Sequence, residues 1–174
     1  PKVSLKQPPA VIDVEASGFG RGSYPIEVGF VLADGQSFCR LICPPEHWTH
    51  WTHWDEEAEQ LHGIRRDVLM KHGRPVVDVA KWLNEQLRGL TLYSDGWGND
   101  MSWIGLLFDE AECTPLFRIE TLPKILTESQ KIHWRSSRDE VAQRLGFERH
   151  RASNDAIVIQ QTWLAVQKLD IQKD

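Results

Sequence analysis

The chain has 174 residues, with 20 Lys and Arg against 25 Asp and Glu, so its formal net charge is −5. That length suits one domain, residues 1–174, with a substantial core, and 41% hydrophobic with 26% charged residues is ordinary for a globular protein. The negative balance argues against a protein that grips polyanions by bulk charge, and no apolar run approaches the roughly 20 residues of a membrane span.

The first predicted element covers residues 9–15, a β-branched run stopped by the turn residues Ser17-Gly18-Phe19-Gly20. Residues 26–32 and 37–42 read as two more strands, with Asp34-Gly35 between them as a hairpin signal. An antiparallel meander therefore opens the chain. After Pro44-Pro45 the pattern turns helical. Residues 55–62 carry acids in their first turn, where the helix dipole favours them, and Thr52 with Asp55 resembles a capping box using Asp in place of Glu. Residues 65–71 predict a short helix. Val76, Val77, Ala80, Leu83 and Leu87 then recur at helical spacing until Gly89. Residues 90–94 predict a fourth strand, 101–108 an apolar helix and 116–121 a fifth strand. Helices follow at 123–130, 137–145 and 154–168. A meander of strands followed by strands alternating with helices predicts an α/β fold with one mixed five-stranded sheet flanked by helices. Cys39, Cys43 and Cys113 include no Cys-x-x-Cys pair. That argues against a disulfide framework or a thiolate zinc site and, with no secretory signal opening the chain, for a cytoplasmic protein.

Three stretches carry candidate chemistry. In Asp13-Val14-Glu15, positions i and i+2 of a strand project to one face. Two neighbouring carboxylates repel and resist burial, and a divalent cation between them would resolve that cost. In "YSDGWGNDMSW" a strand runs through glycine-rich turn chemistry into a helix, the place where ligands sit in open α/β sheets. Asp95 and Asp100 compete there as the functional acid, and each has an alternative role as a turn or cap residue. In "HRASNDA", His150 lies in a loop and Asp155 in the first turn of the last helix.

Taken in order, Asp-x-Glu on a first strand, Asp after a central strand and His-x4-Asp opening a C-terminal helix resemble the DEDDh-type 3′–5′ exonucleases. The resemblance extends over residues 11–163, with "YPIEVGFV" and "LHGI" similar to further landmarks of that superfamily. It implies a ribonuclease-H-like fold and hydrolysis of phosphodiesters from the 3′ ends of single-stranded DNA or RNA. Asp13, Glu15, Asp100 and Asp155 would hold two Mg²⁺ or Mn²⁺ ions, which clamp the attacking and leaving oxygens. His150 would be the general base. Ala16, Ser17, Gly18 and Phe19 would contact the terminal nucleotide, although the family often has small hydroxyl residues, a glycine and an aliphatic there. The Asn that commonly precedes the second-motif acid is replaced by Gly96, with Asn99 beside Asp100. Asp100 is preferred because "DMSWIGLLF" follows it as a helix, and Asp95 is the alternative ligand. Two rival functions are end binding without turnover and hydrolysis of very short oligonucleotides.

Two other features stand out. "HWTHWTHW", residues 47–54, spaces His47, His50 and His53 by three, which suits neither the i, i+4 pairing of a helical zinc site nor one face of a strand. The preferred reading is structural, with one Trp as a hydrophobic staple before the helix at Asp55. A base-stacking platform or a homodimer interface are the alternatives. Lys131, Arg135, Arg138, Arg144, Arg149 and Arg151 concentrate ahead of the third motif, where they either track a phosphate backbone or solvate helices.

Overall fold

In the computed structural model, which describes residues 5–51 and 54–171, β1 (Ala10–Ala16), β2 (Pro25–Val31) and β3 (Ser37–Cys43) form the expected antiparallel meander. Gly35 turns the chain with a left-handed φ of 89°, a conformation open to glycine at little cost. A two-residue strand, β4 (Arg74–Pro75), pairs parallel with β3. At the other edge β5 (Thr91–Ser94) pairs parallel with β1, and β6 (Arg118–Thr121) parallel with β5. The sheet thus has six strands in the order β4-β3-β2-β1-β5-β6, one more than predicted. Two exposed residues carry no alternation, so β4 had no periodic signal. It exists because Gly73 lets the chain pass against β3, where a Cβ would sit 2.3 Å from the Leu69 carbonyl oxygen and 2.6 Å from the Cys43 nitrogen.

Among the described residues seven α-helices connect and cover these strands: α1 (Glu46–Trp51), α2 (Glu56–His62), α3 (Arg66–His72), α4 (Val76–Leu87), α5 (Trp97–Glu110), α6 (Glu128–Leu145) and α7 (Ala152–Ile171). The alternation of β1 sorts its residues between two cores. Ile12 and Val14 face Val79 and Leu83 of α4 and Ile104 and Leu107 of α5. Val11 faces the other way, with Val31 and Tyr93, against Ala156, Ile159, Trp163 and Val166 of α7. Each fully buried aliphatic side chain contributes about 1.5–3 kcal/mol, so both faces of β1 are strongly held. Asp13 and Glu15 share the face of Val11, beyond the point where the apolar packing of α7 ends. Among the described residues no helix is long and apolar enough to cross a membrane.

Several helix boundaries depart from expectation, α7 among them, which starts at Ala152 rather than 154. α5 begins at Trp97 rather than 101. The Trp97 indole donates to the Ile119 carbonyl at 3.0 Å, and Ser94 Oγ accepts the Gly96 amide at 3.1 Å; these contacts override the poor helix propensity of Gly98. Residues 128–145 form one helix, not two, entered through a 3₁₀ turn at Leu122–Ile125 and a Thr127/Gln130 capping box. Its only fully buried side chains are Gln130 and Val141, so no apolar period marked its length. At α2 the cap is Asp55 itself, whose side chain accepts the Glu57 and Ala58 amides; Thr52 lies outside the described residues.

Candidate functional site

Strand pairing sets the first two carboxylates. Asp13 stands opposite Gly29 and Glu15 opposite Glu27 in the antiparallel register, so all four positions share one face. Gly29 is where α7 comes down onto the sheet. A Cβ there would lie 2.4 Å from the Ser153 nitrogen and 2.6 Å from the Ala152 carbonyl carbon, so only glycine admits the helix start this closely. Glu27, buried at 1% exposure, holds that helix start from below. Its Oε1 accepts the Ala152 amide at 2.8 Å, and its Oε2 lies 2.6 Å from Arg151 Nη2. One helical turn further, Asp155 reaches the strand. One oxygen each from Asp13, Glu15 and Asp155 lie within 4.8 Å of one another.

Asp100 approaches from α5. Ser94 Oγ donates to its Oδ2 at 2.5 Å, and the Val14 amide beside it also favours its charged form. A single cleft of about 220 Å³ is lined by all five predicted catalytic and metal residues, Asp13, Glu15, Asp100, His150 and Asp155, and by Ala16, Gly18 and Phe19. Phe19, 69% exposed, stands at its rim. Ser17 does not line it. Its hydroxyl accepts the Tyr24 amide at 3.0 Å inside the turn, and its side chain is buried. Asp95 also stays off the cleft, facing Arg138 Nη1 at 3.9 Å.

The electrostatics follow from crowding acids in a half-closed space. Burial pushes Glu15 up to about 8, reinforced by the Asp155 charge, with the hydrogen-bonding contact from Asp13 working the other way. Burial pushes Asp100 up to about 7 against the Ser94 hydrogen bond. Asp13 is raised well above the ordinary carboxylate range, first by burial and then by Asp100, Glu15 and Asp155. Its Oδ2 is buried without a hydrogen-bond partner. Hard oxygens converging on one point, one of them orphaned, and several acids facing a single guanidinium, that of Arg149, together fit a divalent cation.

His150 adopts a left-handed backbone with φ of 61°, an uncommon conformation for a residue with a side chain. The twist turns its amide toward Asp155 Oδ1 at 3.2 Å. The imidazole and Asp155 thereby share one short turn at the cleft wall. Sequence reasoning named His62 only as part of "LHGI". The side chain is buried against the cleft, Nδ1 accepts the Ile64 amide at 3.0 Å, and burial lowers its pKa. Glu27 was also missed, yet a lone acid inside "YPIEVGFV" was itself a signal that a buried partner exists.

The remaining expectations resolve unevenly. Of the six clustered cations, Lys131 pairs with Glu128, Arg138 with Asp95, Arg149 with Asp155 and Arg151 with Glu27, so most of the cluster is engaged by the chain's own acids. In the His/Trp stretch, His53 and the side chains of His50 and Trp51 lie outside what is described. His47 Nε2 meets Glu110 Oε2 at 2.8 Å, away from the acidic cluster. Trp48 is buried against Tyr24 at 5.9 Å between ring centroids, which removes it as an exposed stacking or dimer surface. Trp54, immediately before the Asp55 cap, packs partly buried against the core, and its indole N–H donates to Glu59 Oε1 on the next helical turn at 3.1 Å.

No protein-family model matches the sequence, and neither does any curated protein. Solved structures share the fold. E. coli Exonuclease I in complex with a 5cy-dA13 oligonucleotide superposes with a TM-score of 0.63 at 10% identity, covering 88% of this chain and 39% of that one. S. pombe Pop2p in its Mg²⁺- and Mn²⁺-bound form gives 0.59 at 15% identity over 93% of this chain and 83% of that one. Exonuclease I of Methylocaldum szegediense gives 0.53 at 14% identity over 75% and 30%. The chain therefore spans well under half the length of the two Exonuclease I proteins. At these identities the likeness is one of fold: the mixed sheet flanked by helices expected from the sequence is observed, and these exonucleases share it.

Proposed function

We propose that this chain is a metal-dependent 3′–5′ exonuclease acting on single-stranded DNA or RNA and releasing nucleoside monophosphates. The observation that carries this reading is the convergence of Asp13, Glu15 and Asp155 oxygens within 4.8 Å, on a cleft shared with Asp100 and His150. The likeness to Exonuclease I bound to an oligonucleotide and to Pop2p bound to Mg²⁺ and Mn²⁺ supports it.

Asp13, Glu15 and Asp155 would hold the two Mg²⁺ or Mn²⁺ ions, joined by the buried Asp100. Bound there, such ions supply Lewis acidity toward water and neutralise phosphate charge. The chain's own residues do the rest. His150 takes the proton of the attacking water on an imidazole nitrogen as the new P–O bond forms and the bond to the 3′ oxygen of the preceding nucleotide breaks. Its backbone tie to Asp155 keeps that nitrogen at the cleft wall. Phe19 and Leu61, both exposed on the rim, offer apolar faces to the terminal base, and the backbone at Ala16 and Gly18 lies against the sugar. Digestion of an end-labelled strand with added divalent ion tests the proposal: a linear strand is shortened from its 3′ end while a circle of the same sequence survives.

One observation favours a narrower substrate range. The cations near the site are mostly spent on Asp95, Asp155 and Glu27, which suits very short oligonucleotides better than long strands that need a basic track. A rate that rises as the substrate shortens to a dinucleotide would support that version.

A further inference from the structure

Two arginines clasp the loop that carries His150, and they are not equivalent. Arg151 pairs with Glu27, a side chain at 1% exposure that belongs to no cation cluster. Arg149 pairs instead with Asp155: its Nε lies 3.0 Å from Oδ1, and the two side chains are 35% and 12% exposed. Oδ1 also accepts the His150 amide. Asp155 is one of the three residues whose oxygens converge. A guanidinium therefore sits on an oxygen of the acid cluster.

Arg149 and a divalent ion compete for that carboxylate. An ion taking Oδ1 must displace the guanidinium, and an ion taking the other oxygen of Asp155 meets a positive charge across the same group, a repulsion that a half-closed site screens poorly. The Arg151 clasp is not involved, so the loop stays anchored while Arg149 moves. We propose that Arg149 is the resident counter-ion of the metal-free cluster, displaced from Asp155 when a divalent ion binds and then free to bond a phosphate of the bound nucleotide. The proposal rests on the reading of this cleft as a metal-dependent site. It gives Arg149 two opposite effects: it weakens metal binding and strengthens nucleotide binding. A residue that merely supported the fold would shift both in the same direction.

The test needs no turnover. Mn²⁺ is titrated calorimetrically into the metal-free protein without nucleic acid, for the wild type, Arg149→Gln, Arg149→Lys and Asp155→Asn. A nucleoside 5′-monophosphate is then titrated in saturating Mn²⁺. Arg149→Gln binds Mn²⁺ roughly fivefold tighter, the worth of one partly exposed ion pair removed, binds the nucleotide several-fold weaker, and shows a smaller gain in high salt. Arg149→Lys stays near the wild type. Equal or weaker Mn²⁺ binding by Arg149→Gln overturns the proposal. If the wild type binds Mn²⁺ no better than Asp155→Asn, the metal-site reading beneath it falls instead.

Discussion

Glu27 on β2 and Arg151 ahead of α7, 124 positions apart, form the joint that sets the acid cluster: Arg151 Nη2 lies 2.6 Å from Glu27 Oε2 while Oε1 takes the Ala152 amide. Glu27 lies directly across the strand register from Glu15. It fixes the start of α7 and so the distance from Asp155 to the strand acids. Removing Glu27 leaves the buried Ala152 amide without its acceptor and a partly exposed guanidinium without its partner, at about 1–3 kcal/mol. Glu27→Ala is expected to lower stability in urea by about that amount and to weaken Mn²⁺ binding. Glu27→Gln, which keeps an acceptor for the Ala152 amide, loses less of both.

Gly29→Ala probes the same joint sterically. A Cβ 2.4 Å from the Ser153 backbone nitrogen cannot be relieved by a side-chain rotation, so the helix start must shift. The expected cost is about 1–3 kcal/mol in a denaturant melt. Mn²⁺ affinity should also fall about tenfold, because Asp155 leaves its position beside Asp13 and Glu15.

Both residues show what the sequence could and could not reveal. Asp13 and Glu15 could be placed together because a two-residue step puts them on one strand face, a local relation, whereas His150 and Asp155 were singled out only by the order of motifs along the chain that resembles the DEDDh exonucleases. The partner of Glu27 was not legible, since nothing in a strand pattern says which arginine crosses 124 positions to reach it. The basic cluster stayed open for the same reason: its charges were visible, but the acids that hold Arg138, Arg149 and Arg151 come from other elements. Ser17 looked like a ligand contact by its position in the motif, whereas the turn needs its hydroxyl for the Tyr24 amide. The start of α5 was hidden because Gly96 and Gly98 suggest a turn until the Trp97 anchor on Ile119 is seen.

The raised carboxyls give the metal-free protein a distinctive pH profile. Glu15 rises from an ordinary 4.5 to about 8 and Asp100 from 3.8 to about 7. The folded state therefore keeps protons that the unfolded chain releases, and stability falls as pH rises from about 4.5 to 8. A melt in EDTA should show Tm dropping by several degrees between pH 6 and pH 8. Mn²⁺ should raise Tm more at pH 8 than at pH 6. A Tm in EDTA that is flat or climbs over that range contradicts this account of the cluster.

Asp100 and Asp95 separate cleanly by substitution. Asp100 lines the cleft and is tied to Ser94, while Asp95 faces Arg138 at 3.9 Å. Asp100→Asn is expected to reduce nucleotide release on the order of a hundredfold with the fold intact. Asp95→Asn should change it by less than about threefold, since it removes one long, partly exposed ion pair. The reverse order of effects would make Asp95 the second-motif ligand.

The most direct test of the central claim is a denaturing gel of 5′-labelled single-stranded DNA and RNA oligomers incubated with Mg²⁺, with Mn²⁺ or with EDTA, beside Asp155→Asn. A ladder shortening one nucleotide at a time from the 3′ end, abolished by EDTA and by the substitution, is the predicted result, and it also identifies the sugar. Oligomers of every length, down to dinucleotides, remaining intact in both metals would contradict the enzyme and leave a protein that only binds strand ends.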